Sequence, residues 1–313
     1  MSNSTPLPST ILLATDGSPD SRLAARAAAD LATRGGAALH VLHAWEPYRS
    51  FSGMVPVVSP VMDPDSARAL VAEEVTYLRA QHHAPVAGVH VRVGAPVREI
   101  LDLATQIHAG MIVMGSRGLG AVRRAVLGSV SEDVVHHAHV PVLVMRGGAA
   151  AWPPTRVVVG DDATPDAMAM LRLAGAVAEM FGAAVTLVHA LPKLRETLRG
   201  NGEVHGPVVD DILEFAQAEL EEHAASLPPE VHARTIPRVV TGDAAEALLD
   251  AADMVHGHAL VVVGSRGLGG FDRLRLGSVS TAMLRHGGGP VLVGAHAAAP
   301  QLHVVSGEAS SAG

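Results

Sequence analysis

The sequence predicts two tandem α/β domains, each a doubly wound, five-stranded parallel sheet covered by helices. Three observations support this fold class. The 313 residues are too many for one ordinary domain and suit two of about 150 residues. Hydrophobic residues make up 48% of the chain but aromatic residues only 3%, so small aliphatic side chains must fill the cores, as in parallel sheets buried on both faces. The chain also repeats itself at an interval of about one domain.

The repeat consists of four matched segments in the same order. GSRGLGAVRRAVLGS from Gly115 matches GSRGLGGFDRLRLGS from Gly264, at an offset of 149 residues. ILLATDGSPD from Ile11 matches VVVGDDATPD from Val157, at an offset of 146. VLHAWEP pairs with LVHALPK, and VRVGAP pairs with VVTGDA. This indicates duplication, and we place the domains at residues 1–148 and 149–299, with a small, polar tail at 300–313 that we expect to be disordered.

Within the first half, short apolar runs alternate with segments of helical composition. The predicted strands are Ile11–Thr15, Leu39–Ala44, Val89–Val93, Met111–Met114 and Val140–Met145. The predicted helices are Ser21–Thr33, Pro64–His82, Val97–His108 and Ser129–His137. The glycine pair at 35–36 ends the first helix, and Asp63 or Asp65 begins the second. Strand–helix alternation with short apolar strands is typical of a parallel, doubly wound sheet.

The second half repeats this alternation. Its predicted strands are Val157–Gly160, Val185–His189, Val231–Val240, Leu260–Val263 and Val291–Val293. We expect loops at Tyr48–Met62 and Leu198–Pro207, and a linker at Gly147–Pro154. The last strand of each half would be a sheet edge if each domain stood alone, and exposed edges seek partners.

The repeated glycine-rich segment has the features of a phosphate-binding loop. Glycines let backbone N–H groups approach an anion, and a helix that begins at Ser129 adds unpaired N–H donors and a favourable dipole. Ser129 could also cap that helix. Positive charge close by comes from Arg117, Arg123 and Arg124. The second copy supplies Gly264, Arg266, Gly267, Arg273, Arg275, Gly277 and Ser278.

The spacing G-x2-G-x9-G-[S/T] resembles the ATP-binding signature of the universal stress protein family. The resemblance covers essentially the whole chain as two copies, and it includes the Asp-Gly-Ser that follows the first strand at Asp16. It implies Rossmann-like domains of the adenine-nucleotide α-hydrolase-like type, with ATP, alone or with Mg²⁺, as the ligand. It further implies that the final strands of the two halves pair within the chain, while homodimerisation stays open.

The resemblance also implies which residues contact the nucleotide. Asp16 and Asp162 would contact the adenosine part at the end of the first strand. Val41, His43 and Val188 would pack on the adenine, and Gly94 and Gly242 would admit the ribose. The full first-half set is Asp16, Gly17, Val41, His43, Gly94, Gly115, Arg117, Gly118, Gly128, Ser129, Val130 and Ser131. The second-half set is Asp162, Val188, Gly242, Gly264, Arg266, Gly267, Gly277, Ser278, Val279 and Ser280.

Each of these assignments has a structural alternative. The two aspartates could be turn or helix-capping residues, and the apolar positions could be ordinary core. The second copy also departs from the first. Asp16-Gly17-Ser18 becomes Asp162-Ala163-Thr164, and because alanine does not readily adopt a positive φ, we expect a different turn there. Asp243, which follows Gly242, is expected to cap the next helix.

Composition narrows the function classes. The net charge of −8 is unlike the excess of positive charge that is typical of proteins that bind nucleic acid. The chain has no cysteine, which rules out disulfides and thiolate chemistry. No signal-peptide profile or membrane-length apolar run is present, so we expect a cytoplasmic protein. The histidine clusters, such as His136 and His137, lack metal-ligand spacing, and we expect no metal site.

Motifs for turnover are missing. There is no Walker loop, the single lysine, Lys193, is far from both glycine loops, and no GxSxG elbow occurs. No general base stands out for phosphoryl transfer, so we assign no catalytic residue. The leading hypothesis is an ATP-binding sensor or regulator in a stress response, with nucleotide in both halves. The alternatives are a slow ATPase or nucleotidyl enzyme that uses the same pockets, and a nucleotide-free interaction scaffold.

Overall fold

Strands and helices alternate along the chain. A computed structural model describes residues 7–46, 63–118, 127–148, 151–192, 206–253, 259–265 and 276–295. The first half contains β1 (Thr10–Ala14), α1 (Pro19–Gly35), β2 (Ala38–Trp45), α2 (Pro64–His82), β3 (Val86–Val93), α3 (Pro96–Gln106), β4 (Met111–Gly115), α4 (Ser129–His137) and β5 (Val142–Met145). The second half contains β6 (Arg156–Asp161), α5 (Pro165–Phe181), β7 (Ala184–Leu191), α6 (Gly206–Ala225), α7 (Pro229–His232), β8 (Thr235–Thr241), α8 (Ala244–Asp253), β9 (Ala259–Val263), α9 (Ser278–His286) and β10 (Val291–Val293).

The strands of the described residues form one ten-stranded sheet in the order β3-β2-β1-β4-β5-β10-β9-β6-β7-β8. Neighbouring strands within each half are parallel. The halves meet at β5 and β10, which pair antiparallel with Val144 opposite Val291 and Val142 opposite Val293. The predicted α/β class with a mainly parallel sheet is confirmed, and the final strands do pair within the chain.

A hydrophobic core lies on each face of the sheet, and each core runs through both halves. On one face Leu13 of β1 packs with residues of α1, α2, α5 and α6. On the other face Leu12 packs with residues of α3, α4, α8 and α9. Successive residues of a strand point to opposite faces, so the unbroken apolar runs are explained by burial on both sides.

Capping residues set the ends of the long helices. Ser18 is the N-cap of α1, and its side chain accepts a hydrogen bond from the N–H of Ser21, while Gly36 ends the helix with a φ of 68°. Thr164 and Gly182 do the same for α5. The first helix therefore extends beyond the predicted Ser21–Thr33 at both ends. Asp63, rather than Asp65, caps α2, and Asp243 accepts from the N–H of Glu246 at 2.9 Å, as expected of a cap.

The predicted strand Val231–Val240 is wrong at its start. Residues Pro229–His232 form the short helix α7, and the strand β8 begins at Thr235. Proline presets the backbone for the first turn of a helix, and Val231 is fully buried from that turn. The apolar run therefore combines two elements.

Several sequence predictions fall outside the described residues. These are the loop Tyr48–Met62, the tail at 300–313, and the arginines Arg123, Arg124, Arg266, Arg273 and Arg275 together with Gly267. The loop predicted to end at Pro207 ends earlier, because α6 begins at Gly206. Among the described helices, none has the length and apolar character needed to cross a bilayer.

The turn after the first strand has the same conformation in both halves. Gly17 has a φ of 77°, and Ala163 at the matching position has a φ of 59°. The expectation of a different turn was wrong, since the alanine adopts the left-handed conformation. Asp162 Oδ1 holds this turn by accepting from the Thr164 hydroxyl at 2.6 Å. The second half therefore keeps the turn at the expense of backbone strain, which costs about 1–2 kcal/mol for a residue with a Cβ.

We expect Ala163→Gly to raise the free energy of unfolding by about 0.5–1 kcal/mol, because the relieved strain exceeds the entropy that glycine adds to the unfolded chain. Urea unfolding of the full chain measures this. Gly17→Ala is the matched control and should lower stability, since its new Cβ would also lie 3.1 Å from Leu70 Cδ1. Destabilisation by both substitutions would show that Ala163 is not strained.

Candidate functional site

A cavity of about 640 Å³ lies in the first half, where β1 and β4 end. One side is apolar and includes Leu42, Ala44, Pro96 and Ile100, from β2 and α3. The other side is formed by the ends of β1 and β4 and the first turn of α4. It contains Ala14, Thr15, Asp16, Ser21, Met114, Gly115, Arg117, Gly118, Leu127, Gly128, Ser129, Val130 and Ser131. The carboxyl ends of the strands are where open α/β sheets place ligands, and the volume suits a small organic molecule.

The two described ends of the glycine loop are joined by hydrogen bonds. The carbonyl of Ser116 accepts from the N–H of Gly128 at 2.8 Å and from the hydroxyl of Ser131 at 2.9 Å. Gly115 allows this part of β4 to lie against α1, because a Cβ there would come within 2.7 Å of the Ser21 backbone nitrogen. The glycine is therefore required by packing, independently of any ligand.

The first turn of α4 presents backbone donors to the cavity. Gly128, and not Ser129, is the N-cap of α4, and no side chain caps this end. The expectation that Ser129 caps the helix was therefore wrong. The first N–H groups of a helix have no partner within it, and here Ser129 and Val130 line the cavity. Unpaired N–H groups and the helix dipole favour an anion at this position.

Arg117 has a buried partner on α1. Its Nε lies 2.9 Å from Asp20 Oδ2, and the Ser116 hydroxyl donates to the same oxygen at 2.7 Å. The Arg117 carbonyl accepts from the hydroxyl of Ser18 at 3.0 Å. The turn after β1 and the glycine loop are thus clamped together by Ser18 and Asp20, which sequence reasoning did not assign to the site. Both positions lie in the matched segments, so comparing the copies could have found them.

The glycine loop of the second half is closed by two similar hydrogen bonds, one of which has a different acceptor. The N–H of Gly277 donates to the Ser265 carbonyl at 2.8 Å, and the Ser280 hydroxyl donates to the Gly264 carbonyl at 2.6 Å. Gly277 is the N-cap residue of α9 and makes no side-chain capping hydrogen bond; the first residues of the helix are Ser278 and Val279. The described parts of the two loops share this design, while Arg266 and Gly267 lie outside the described residues.

Eight of the twelve first-half residues predicted as nucleotide contacts line the cavity. These are Asp16, Gly115, Arg117, Gly118, Gly128, Ser129, Val130 and Ser131. Gly17 shapes the turn beside them. Gly94 follows β3 and donates its N–H to the Trp45 carbonyl at 3.0 Å. Gly242 makes the same bond to Leu191 at 2.8 Å.

The predicted adenine-packing residues lie on the other face of β2. Val41 is fully buried in the core with residues of α1 and α2. The Nδ1 atom of His43 lies 2.7 Å from the carbonyl oxygen of Thr15. Leu42 and Ala44 line the cavity in their place. In the repeat Val188 corresponds to Leu42 rather than to Val41, and it belongs to the same core as Leu42. A one-residue shift along a strand reverses the face.

A buried carboxyl group lies behind the turn that carries Asp16. Glu74 of α2 is only 6% exposed, and Thr15 donates its hydroxyl to Glu74 Oε2 at 3.4 Å. Glu74 Oε1 has no hydrogen-bond partner among the described residues. Burial raises the pKa of Glu74, against the opposing influence of Arg22 and Thr15. Folding therefore shifts the protonation equilibrium of this carboxyl group towards the neutral acid.

Because the pKa of Glu74 is raised on folding, its contribution to stability is present below the ordinary glutamate pKa and is lost as the pH rises through the raised value. We expect Glu74→Gln to remove this loss, so that the variant gains stability over the wild type only above that range. Urea unfolding as a function of pH measures the difference. Glu73→Gln is the control, since its side chain is 73% exposed. Parallel pH profiles for wild type and Glu74→Gln would contradict the assignment.

Two features together define the class of this protein. It is a tandem α/β protein in which two doubly wound halves share one sheet, and in each half a glycine loop leads from the fourth strand into an uncapped helix. The family model of the universal stress protein family matches residues 9–146 and 154–294. The chain belongs to the universal stress protein family.

Individual relatives agree with this assignment. A universal stress protein of Mycolicibacterium smegmatis is 29% identical over 293 residues, covering 90% of this chain and 96% of the relative. The crystal structure of a universal stress protein from Archaeoglobus fulgidus has a TM-score of 0.59 at 23% identity, covering 92% of this chain and 98% of that one. A functionally unknown protein of Pseudomonas aeruginosa has a TM-score of 0.68 at 16% identity, with 95% of each chain covered. The two structures support the fold.

Proposed function

We propose that this universal stress protein binds ATP at the glycine loop of each half, and that occupancy regulates its interactions in a cytoplasmic stress response. The observation that carries the proposal is the first-half cavity, which combines an apolar side with an anion-binding end. Leu42, Pro96 and Ile100 offer a surface for a base. The uncapped start of α4 offers backbone donors for phosphate.

The second site is proposed from the matching loop. The bond from the Gly277 N–H to the Ser265 carbonyl reproduces the one from Gly128 to Ser116 in the first half, and α9 begins without a side-chain cap. The strands that lead into the two loops, β4 and β9, belong to one continuous sheet, so a change at either site would act on the same sheet. A ligand shifts a conformational equilibrium only through its different affinity for the two states, so the regulatory role requires that the ATP-bound chain differ from the free chain.

The described cavity wall favours holding ATP over hydrolysing it. Asp16 is the only carboxylate among the described residues that line it, and no histidine lines it. A Mg²⁺ ion that accompanied the triphosphate would find Asp16 as its protein oxygen ligand, where it would neutralise phosphate charge. Phosphoryl transfer usually also needs a group that orients the nucleophile, and the described wall does not supply one.

The test uses the purified full chain. Acid-released ligand is identified by mass spectrometry, and ATP binding to nucleotide-stripped protein is measured by isothermal titration calorimetry. We expect ATP to be released and to rebind at about two per chain. A chain that carries no nucleotide and gives no heat with ATP would support the scaffold alternative. Phosphate release that is lost in Asp16→Ala with Asp162→Ala would instead support a slow ATPase.

A further inference from the structure

A second cavity, of about 290 Å³, lies where the two halves meet. We call it the junction cavity. Pro8, Gly110 and Pro141, which precede strands of the first half, form one side. The start of α5 and the residues that follow β9 and β10 form the other side. Apart from Gly264, none of its described lining residues corresponds to a residue that lines the first-half cavity, so it is a separate space.

The internal repeat shows what fills the corresponding place in the first half. Arg146 follows β5 and corresponds to Ala295, which follows β10. Arg146 is 8% exposed, and its Nη1 donates to the Gly287 carbonyl at 2.7 Å. Ala295 lines the junction cavity instead. At this sequence position the second half therefore has a methyl group where the first half buries an arginine side chain.

Differences in side-chain size at the neighbouring positions do not replace the volume of the arginine side chain. Met145, next to Arg146, is fully buried, and its counterpart in the second half is Gly294. Met170 of α5 takes over that volume, since a Cβ on Gly294 would lie 3.1 Å from the Met170 sulfur. A methionine of the helix in the second half thus fills the volume that a methionine of the strand fills in the first half. The arginine has no replacement among the described lining residues.

The charge that accompanies the arginine is conserved between the halves. In the first half Asp20 accepts from Ser116 and Arg117. Burial lowers the pKa of Arg146, as does the charge of Arg117, whereas the nearby Asp20 carboxylate raises it. In the second half Asp166 takes the place of Asp20 in the sequence and lines the cavity, where it is exposed, whereas Asp20 is buried.

One hydrogen bond of Asp20 is not repeated at Asp166. The hydroxyl of Ser265, the counterpart of Ser116, donates to the Ala295 carbonyl at 2.9 Å. Arg266, the counterpart of Arg117, lies outside the described residues. The cavity thus has a carboxylate at one position and apolar walls from Met170, Leu173, Pro8 and Pro141.

We propose that the junction cavity binds a small organic cation, a guanidinium or primary ammonium group on a short alkyl chain. The cationic head pairs with Asp166, and the alkyl chain lies on Met170 and Leu173. The ligand thereby occupies the place that Arg146 fills in the first half. A charged head with an apolar stem is the chemistry that an arginine side chain itself offers.

The test uses n-butylguanidinium as the probe and n-butylurea, its neutral isostere, as the matched ligand control. Binding to the full chain is measured by calorimetry and by the shift in melting temperature. We expect n-butylguanidinium to bind once per chain and at least about tenfold more tightly than n-butylurea, because a hydrogen bond to a charged group is stronger than a neutral one. Equal affinity for the two ligands would overturn the proposal.

Two variants locate the site. Asp166→Asn should weaken n-butylguanidinium about tenfold and leave n-butylurea unchanged. Ala295→Arg should abolish binding of the cation, because the new arginine side chain would occupy the junction cavity. Glu246→Gln, which changes an acid in the first turn of α8, is the control and should bind normally. Undiminished binding in Asp166→Asn would overturn the proposal even if Ala295→Arg failed to fold, and ATP binding is not required for any of these outcomes.

Discussion

We expect Gly118→Val to weaken ATP binding at one of the two proposed sites of each chain and to leave the fold intact. A Cβ at Gly118 would lie 2.6 Å from Asp16 Oδ2, and among the described residues Asp16 alone lies within 4 Å of it. The substitution therefore displaces a carboxylate that lines the cavity and narrows the space beside the loop. Losing an interaction with a charged group costs about 1.5–3 kcal/mol, so the dissociation constant at this site should rise by about 10–100-fold.

Calorimetry on the full chain measures the change, as a rise in the dissociation constant of one of the two sites. Gly148→Ala is the matched control, because no atom of the described residues lies within 4 Å of the Cβ it would add. Gly115 is unsuited to this test, since its replacement would press on the backbone of α1 and disturb folding. If Gly118→Val binds ATP with unchanged stoichiometry and affinity, the nucleotide does not use the first-half cavity.

Trp152→Ala should give the largest loss of stability among single substitutions in the segment that connects the halves. Trp152 is 1% exposed. Its indole N–H donates to Asp30 Oδ2 on α1 at 3.0 Å, and its ring lies edge-on to Phe181 at the end of α5, with 5.1 Å between centroids. One side chain thus contacts both halves.

Removing a buried tryptophan side chain costs about 3–5 kcal/mol. We also expect the halves to unfold less cooperatively, with a broader or two-step transition, because a shared contact is lost. Denaturant unfolding followed by circular dichroism measures both effects. Trp152→Phe is the control and should lose less, since it keeps most of the apolar packing. A Trp152→Ala chain that unfolds at the wild-type midpoint would show that the connecting segment is not structural.

Local patterns predicted the elements well where caps and turns agreed with the apolar runs. The helix Pro64–His82 has the predicted bounds, and the glycine loop leads into a helix at Ser129 as expected. The strand at Val231 was wrong because β-branched residues also occur in the buried turn that Pro228 and Pro229 begin. Propensity alone does not separate these cases.

The candidate site was harder to predict than the fold. The described residues at the two ends of the loop, 115–118 and 127–131, meet around the cavity, and the sequence indicated them through their repeated glycines. The apolar side was misplaced, since Val41, Leu42 and His43 are all buried and composition does not show which face each one takes. Asp20 was missed because its partners, Ser116 and Arg117, lie about a hundred residues away.

The sequence by itself determined the duplication, the α/β class and the position of both glycine loops. Each of these follows from the local spacing of apolar and glycine residues and from the segments that the two halves share. Only the tertiary structure decided the antiparallel register in which β5 and β10 pair, that Ala163 takes the conformation of Gly17, and that a cavity lies beside Ala295, the counterpart of the buried Arg146. The physical reason is twofold. Strands that are buried on both faces lack the alternation of apolar and polar residues that would show which face each residue takes. The contacts between side chains that are distant in sequence form only when the chain packs.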